Sequence, residues 1–249
     1  MLISMSPVPA SSAMQQWEAV EPDVSSVVTE DDTPVDNFPS EKAQRLLTEP
    51  LYSSWSGPPP LEEGGPRPFL AAANVGVFAT PKLPPVVPDV LLSLDVELHR
   101  DWWDKEHRSY FVWELGKSPD VVIEIVSNRE GDELGGKRGR YASMRIPYYV
   151  VWDPAGRLGR PSLRVFEMRG SLYAPIDRAW FEPVGLGLVE WEGTYEGRHD
   201  RWLRWCTADG QVIPTGAERA DKERARADKE RSRAERLAAK LRALGIDPD

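Results

Sequence analysis

The sequence holds a single cysteine, Cys206, in 249 residues. That excludes an intrachain disulfide and fits a reducing compartment, so a cytoplasmic location is expected. No apolar run approaches the roughly 18 residues of a membrane span, so no membrane partner is expected. The first residues show no basic segment followed by an apolar block, and no secretory signal is expected. Histidine is scarce as well. His99, His107 and His199 stand in polar contexts without metal-ligand spacing, which gives none of them a role. Lysine and arginine are absent from residues 1–40, which carry seven acids (Glu18, Glu21, Asp23, Glu30, Asp31, Asp32 and Asp36). The chain's formal charge is −9, so the remainder is close to neutral, at about −2. Near-neutrality permits a local basic groove without demanding one. Residues 1–38, rich in Ser, Pro, Val and acids and without periodicity, read as a disordered acidic tail.

What is present centres on Ser118 to Pro154. Asp120 to Ser127 is a strand candidate rich in β-branched residues. Side chains alternate along a strand, so Val121, Ile123 and Ile125 share one face, and Asp120, Val122, Glu124 and Val126 the other. An acid in so apolar a run is costly to bury unless a cation or hydrogen bonds compensate it. Asn128 to Gly131 reads as a turn. A helix is expected over roughly Asp132 to Met144, ended by Pro147. Lys137 and Tyr141, four residues apart, share a face of it. Tyr148 to Trp152 is the next buried strand. A strand, a helix and a strand joined this tightly favour a parallel crossover. The helix then packs over the strand that carries Glu124, and Lys137 can reach back to it.

Upstream, Ser40 followed by Glu41, Lys42, Ala43, Leu46 and Leu47 suggests a capped short helix. Pro58–Pro60 and Gly64-Gly65-Pro66 mark a loop. Phe69–Ala79, Val86–Leu98 and Ser109–Leu115 are strand candidates. Downstream, Ser162–Met168 is another, Ala179–Trp205 is polar and Trp-rich, and Asp209-Gly210 is a hairpin signal. Residues 216–249 differ in kind. Arg219–Ala225 repeats as Arg226–Ser232, a charged heptad-like helix with an apolar seam only from Leu237 to Leu244, stopped by Gly245. A solvated single helix fits slightly better than a coiled-coil stalk, and a basic nucleic-acid arm ranks third, because six acids interleave the ten Lys and Arg and dilute the positive charge.

Two acids stand out. Asp89 follows Pro88 at the start of one strand, and Glu124 lies inside another. Two carboxylates can hold a hard divalent cation such as Mg²⁺, with Mn²⁺ as the alternative. Such a cation polarises a phosphoryl oxygen and acidifies a bound water. A nearby lysine can orient the water and stabilise developing charge. This is phosphodiester-hydrolysis chemistry. Each residue also has a plainer reading: Asp89 as a strand-start residue, Glu124 as a structural buried acid, Lys137 as a surface lysine. Asp120 reads as a turn residue before a metal ligand, and Asp132 and Glu133 as favouring the helix N-terminus. Glu114 is an outside candidate. Tyr148, Tyr149 and Trp152 read as core.

VPDVLLS (87–93), PDVVIEIVS (119–127), the Lys137-x-x-x-Tyr141 helix and IPYYVVWDP (146–154) together resemble the Uma2 family of restriction-endonuclease-like proteins over residues 40–215. The Glu/Arg/Ala-rich tail ending LRALGIDPD is similar to tails that many members carry. The resemblance implies a PD-(D/E)xK nuclease domain over residues 39–215. Its fold is α/β (α+β), a mixed central sheet flanked by helices, with a divalent metal at the active site. Asp89 matches the motif aspartate and Glu124 the motif glutamate, both as metal ligands. The standard lysine position, two residues after the acid, is Val126 here. Members of this family resemble one another in carrying the lysine on the next helix, here Lys137. Many members also have an upstream Tyr-Glu-x-x-x-Gly-Glu segment. This chain has no clean match, and Glu41 and Glu49 are the candidates for its acid. The expected activity is metal-dependent DNA cleavage, with a homodimer as a partner expectation because cutting both strands usually needs two sites. The alternative is a non-catalytic nucleic-acid-binding or scaffold protein that keeps the fold.

Overall fold

The structure is a computed structural model that describes residues 37–60, 65–127 and 132–244. The acidic residues 1–36, the turn at Asn128–Gly131 and the stop at Gly245 therefore lie outside the described residues.

Helix α1 (Phe38–Ser53) opens on Asn37, whose side chain accepts the Ser40 N–H at 3.0 Å. The cap is Asn37 rather than the expected Ser40, because Pro39 is tolerated only in the first turn and the cap must precede it. Ala43, Leu46, Leu47 and Leu51 form its buried face. Then come strands β1 (Phe69–Ala73), β2 (Val77–Phe78), β3 (Val90–Leu94) and β4 (Tyr110–Phe111). The strand expected over Ser109–Leu115 is only those two residues of β4. Val112–Leu115 instead closes one helical turn, α2, ended by Gly116 in the left-handed region at φ 72°. Strand β5 (Val121–Ile125) leads through a one-turn π-helix (Glu133–Lys137) into α3 (Arg138–Ser143) and strand β6 (Tyr148–Trp152). Strands β7 (Leu163–Arg169) and β8 (Leu172–Ile176) complete the main sheet.

That sheet has six strands in the order β1-β3-β5-β6-β7-β8. β5 and β6 run parallel, as a crossover requires, and every other neighbouring pair is antiparallel. Both faces are buried, and the β5 alternation assigns its residues as expected. Val121, Ile123 and Ile125 join a core with Leu47 and Leu51 of α1. Val122 and Val126 join the opposite core with Tyr141 of α3 and Tyr149.

The Trp-rich Ala179–Trp205 segment, for which no strands are expected from sequence, builds a second sheet of β9 (Trp180–Phe181), β10 (Leu186–Tyr195) and β11 (Arg198–Cys206). Phe181, Leu186, Leu203 and Trp205 place it on the α1 side of the main sheet. The β10–β11 hairpin turns at Glu196-Gly197, both at positive φ (45° and 75°). Glutamate is not among the residues that advertise such a turn, so the hairpin is inconspicuous in sequence. The Asp209-Gly210 turn is present, bridged by Cys206 and Val212.

Helix α4 (Gly216–Ala243) starts with a capping box between Thr215 and Glu218, and none of its residues is buried. Glu218 also accepts two hydrogen bonds, at 2.8 and 2.6 Å, from the buried Arg204 of β11. The Gly216 N–H donates to Glu49 at 3.0 Å, and Arg219 donates to the Ser53 carbonyl. The base of α4 is thus locked to β11 and α1, while the rest is solvated.

Candidate active site

Strand β5 carries Glu124 into the core, where it is 1% exposed. It lies on the face covered by α3, so the helix supplies its partners. Lys137 Nζ donates to Glu124 Oε2 at 2.7 Å, and the Tyr141 hydroxyl donates to Oε1 at 2.6 Å. The i, i+4 spacing puts both donors on one helix face, and each takes one carboxylate oxygen. Ring packing of Tyr141 on Tyr149, with centroids 5.1 Å apart, fixes the phenol.

Burial raises the Glu124 carboxyl, and the negative Asp89 nearby adds to this. The Lys137 charge and the two hydrogen bonds oppose it, and the result is a pKa of about 7. Burial works to lower the Lys137 ammonium, but the Glu124 charge and hydrogen bond, with Asp89 and Glu133, outweigh it and raise its pKa. Burial and Glu124 hold the Tyr141 hydroxyl protonated well above its usual range. A carboxyl poised near neutrality beside a firmly protonated lysine marks a site where charge is held at a cost.

Asp89 ends the loop before β3 and is half-buried. Its Oδ2 accepts the Ile125 N–H at 2.6 Å, so it is bonded to the residue that follows Glu124. Its Oδ1 accepts from Gln44 Nε2 of α1 at 3.2 Å. Gln44 is itself paired with Asn74, whose Nδ2 donates to Gln44 Oε1 at 3.1 Å. The structure thus brings Asp89, Glu124 and Lys137 together and adds Tyr141, Gln44 and Asn74. Neither upstream acid candidate lies here. Glu41 pairs with Arg45, and Glu49 accepts the Gly216 N–H at 3.0 Å. The α1 side chain that reaches Asp89 is Gln44. Its position was legible: it lies one turn before Leu47 on the apolar side of the helix, where a buried amide needs polar partners.

The other acids sort by their contacts. Asp120 accepts the Leu94 N–H at 2.7 Å and Lys117 at 2.6 Å, a strand clamp. Asp132 caps the π-helix by accepting the Gly136 N–H at 2.7 Å. Glu133 is buried with Oε2 lacking a hydrogen-bond partner, and its carbonyl accepts from the Tyr149 hydroxyl at 2.7 Å. Glu114 lines a separate cleft of about 830 Å³ with His99, Trp102, Trp103 and His107, and the three motif residues are not part of its lining. Among the described residues no three of His, Cys, Asp and Glu cluster as a metal cage. The donor set of Asp89 and Glu124 suits instead a cation that takes one or two carboxylates and keeps several waters, which is the habit of Mg²⁺.

Replacing Tyr141 with phenylalanine leaves Glu124 Oε1 buried without a donor. The expected cost is about 1–3 kcal/mol, read by urea unfolding at pH 8, where the carboxylate is charged. An unchanged midpoint would show that Glu124 finds another donor.

The mixed sheet with its flanking helices is consistent with a restriction-endonuclease-like fold. The family model Uma2, described as "Putative restriction endonuclease", matches residues 33–178, more than half of the chain. No curated protein matches the chain.

Proposed function

Because the chain belongs to the Uma2 family, we propose that it is a metal-dependent endonuclease that hydrolyses DNA phosphodiester bonds at the Asp89–Glu124–Lys137 site. The observation that carries this reading is the 2.7 Å contact of Lys137 on a buried carboxylate that is bonded, through its neighbour Ile125, to a second one. A lysine next to a pair of neighbouring acids is an arrangement suited to water attack on phosphorus.

Asp89 and Glu124 would hold a divalent cation, Mg²⁺ or Mn²⁺, through carboxylate oxygens, and such an ion supplies polarisation of a phosphoryl oxygen and acidification of a water. The chain's own groups do the rest. Tyr141 fixes one oxygen of Glu124 and leaves the other to face Lys137. Gln44 and the Ile125 amide hold Asp89 in one orientation, so little rearrangement is needed on binding. Lys137 stays protonated and donates hydrogen bonds toward the charge that grows on the phosphoryl oxygens.

Calorimetric titration with Mn²⁺ tests the ion-holding part. Wild type is expected to bind, and Asp89→Asn to bind at least about tenfold more weakly. Equal binding by both would remove Asp89 from the site.

A further inference from the structure

Beyond the site, the least explained element is α4, a 28-residue helix with no buried residue. Along it Lys222, Arg226, Lys229, Arg233, Arg236 and Lys240 follow one another at alternating spacings of four and three. Residues so spaced lie on one side of a helix, because each step turns about 100°. All six are exposed. They form a continuous basic stripe about 27 Å long, with a cation about every 5 Å. Arg219 continues the stripe to its base, where it is tied to the Ser53 carbonyl of α1.

The interleaved acids of the sequence are sorted away from this stripe. Asp221, Asp228 and Glu235 recur every seven residues on another side, Glu223 and Glu230 flank it, and Glu218, on the stripe side at the base, is taken up by Arg204. The Arg226–Glu230 pair at 3.4 Å is exposed and worth little, so it yields readily to a stronger anion. Two other occupants fit poorly. The side formed by Ala220, Ala227 and Ala234 is too small to insert into a lipid interface, and apolar seam residues appear only from Leu237 on.

We propose that this stripe docks on the phosphodiester backbone of duplex DNA. The choice of polyanion rests on the nuclease reading above. A row of cations about 27 Å long can neutralise several phosphates of the densely charged duplex backbone, and such contacts carry no base-specific information. The locked base gives the stripe a fixed direction. Gly216 and Arg219 are bonded to α1, the helix whose Gln44, about 14 Å away along its axis, reaches Asp89. Backbone binding on α4 would thus raise the local concentration of DNA at the site without choosing a sequence.

The test is fluorescence anisotropy of the full chain with a duplex of about 30 base pairs, in EDTA and over a range of salt. One variant carries Arg226→Gln, Lys229→Gln and Arg233→Gln. A second carries Arg224→Gln, Arg231→Gln and Arg242→Gln, with the same net charge but off the stripe. Glutamine keeps the helix. The stripe variant is expected to lose at least about tenfold in affinity and about three units of salt slope, the control less than about threefold. Equal losses, or no binding by wild type, would overturn the proposal. So would binding to phosphatidylserine vesicles but not to DNA, or a stripe variant that merely dissociates an oligomer in sedimentation. EDTA removes cleavage from the experiment, so a failure of the nuclease reading appears separately, as bound DNA left uncut in Mg²⁺.

Discussion

Replacing Lys137 with methionine is expected to lower metal-dependent DNA cleavage by roughly 10²–10³-fold while the protein stays folded. The reason is local. Lys137 lies at the end of the π-helix, a single turn whose start is fixed by the Asp132 side chain on the Gly136 N–H. That turn points the ammonium at Glu124 Oε2, 2.7 Å away. Without the ammonium, Glu124 loses the charge that favours its ionised form, and its proton affinity climbs beyond the already raised value of about 7. The acid can then sit neutral with Tyr141 still bonded, so the fold survives. A lysine with only a structural role would give the opposite pattern, stability lost and cleavage retained. Arginine is not expected to restore activity, because a planar guanidinium cannot place a point charge where the ammonium sits. Cleavage rates with circular dichroism on the same samples separate the two roles.

The second large effect is on pH dependence. The ordinary glutamate value is 4.5, and Glu124 stands at about 7 in the folded protein. Between those values the folded state holds a proton that the unfolded state has released. Stability from this group is therefore full below 4.5, declines as pH rises, and levels off above about 7. The loss amounts to roughly 3 kcal/mol over the window. Urea unfolding at pH 5 and pH 8 is expected to show it in wild type and not in Glu124→Gln. Saturating Mg²⁺ should shrink it, because the ionised carboxylate gains a ligand in the folded state alone. Below pH 7 apparent metal affinity is expected to fall by about tenfold per pH unit as the proton competes. A wild type as stable at pH 8 as at pH 5 would mean that Glu124 titrates in the ordinary range.

Sequence reasoning reached the centre of this molecule because the signals there are short-range and mutually consistent. The alternation through β5 shows which face Glu124 takes, and the four-residue step from Lys137 to Tyr141 shows that they share a helix face from which Lys137 can reach it; that Tyr141 also bonds Glu124 appears only in the structure. The parallel β5–β6 crossover followed from chain economy. What stayed hidden depends on contacts distant in sequence. Gln44 and Asp89 are 45 residues apart, and nothing local to either tells that they meet. The β10–β11 hairpin hides behind charged residues on its exposed half and behind a Glu-Gly turn. The acid sought at Glu41 or Glu49 is absent from the site because those positions face the surface and the base of α4. The stripe on α4 is hidden in the sequence because its acids and bases alternate along the chain and separate only around the helix.

The most direct test of the central claim is nicking of supercoiled plasmid in Mg²⁺ and in Mn²⁺, with wild type beside Glu124→Gln. The account predicts nicking by wild type that depends on the metal and disappears in Glu124→Gln. Plasmid left intact by wild type in both metals, or cut equally by the variant, would contradict it, and an intact but bound plasmid would make this fold a nucleic-acid-binding scaffold.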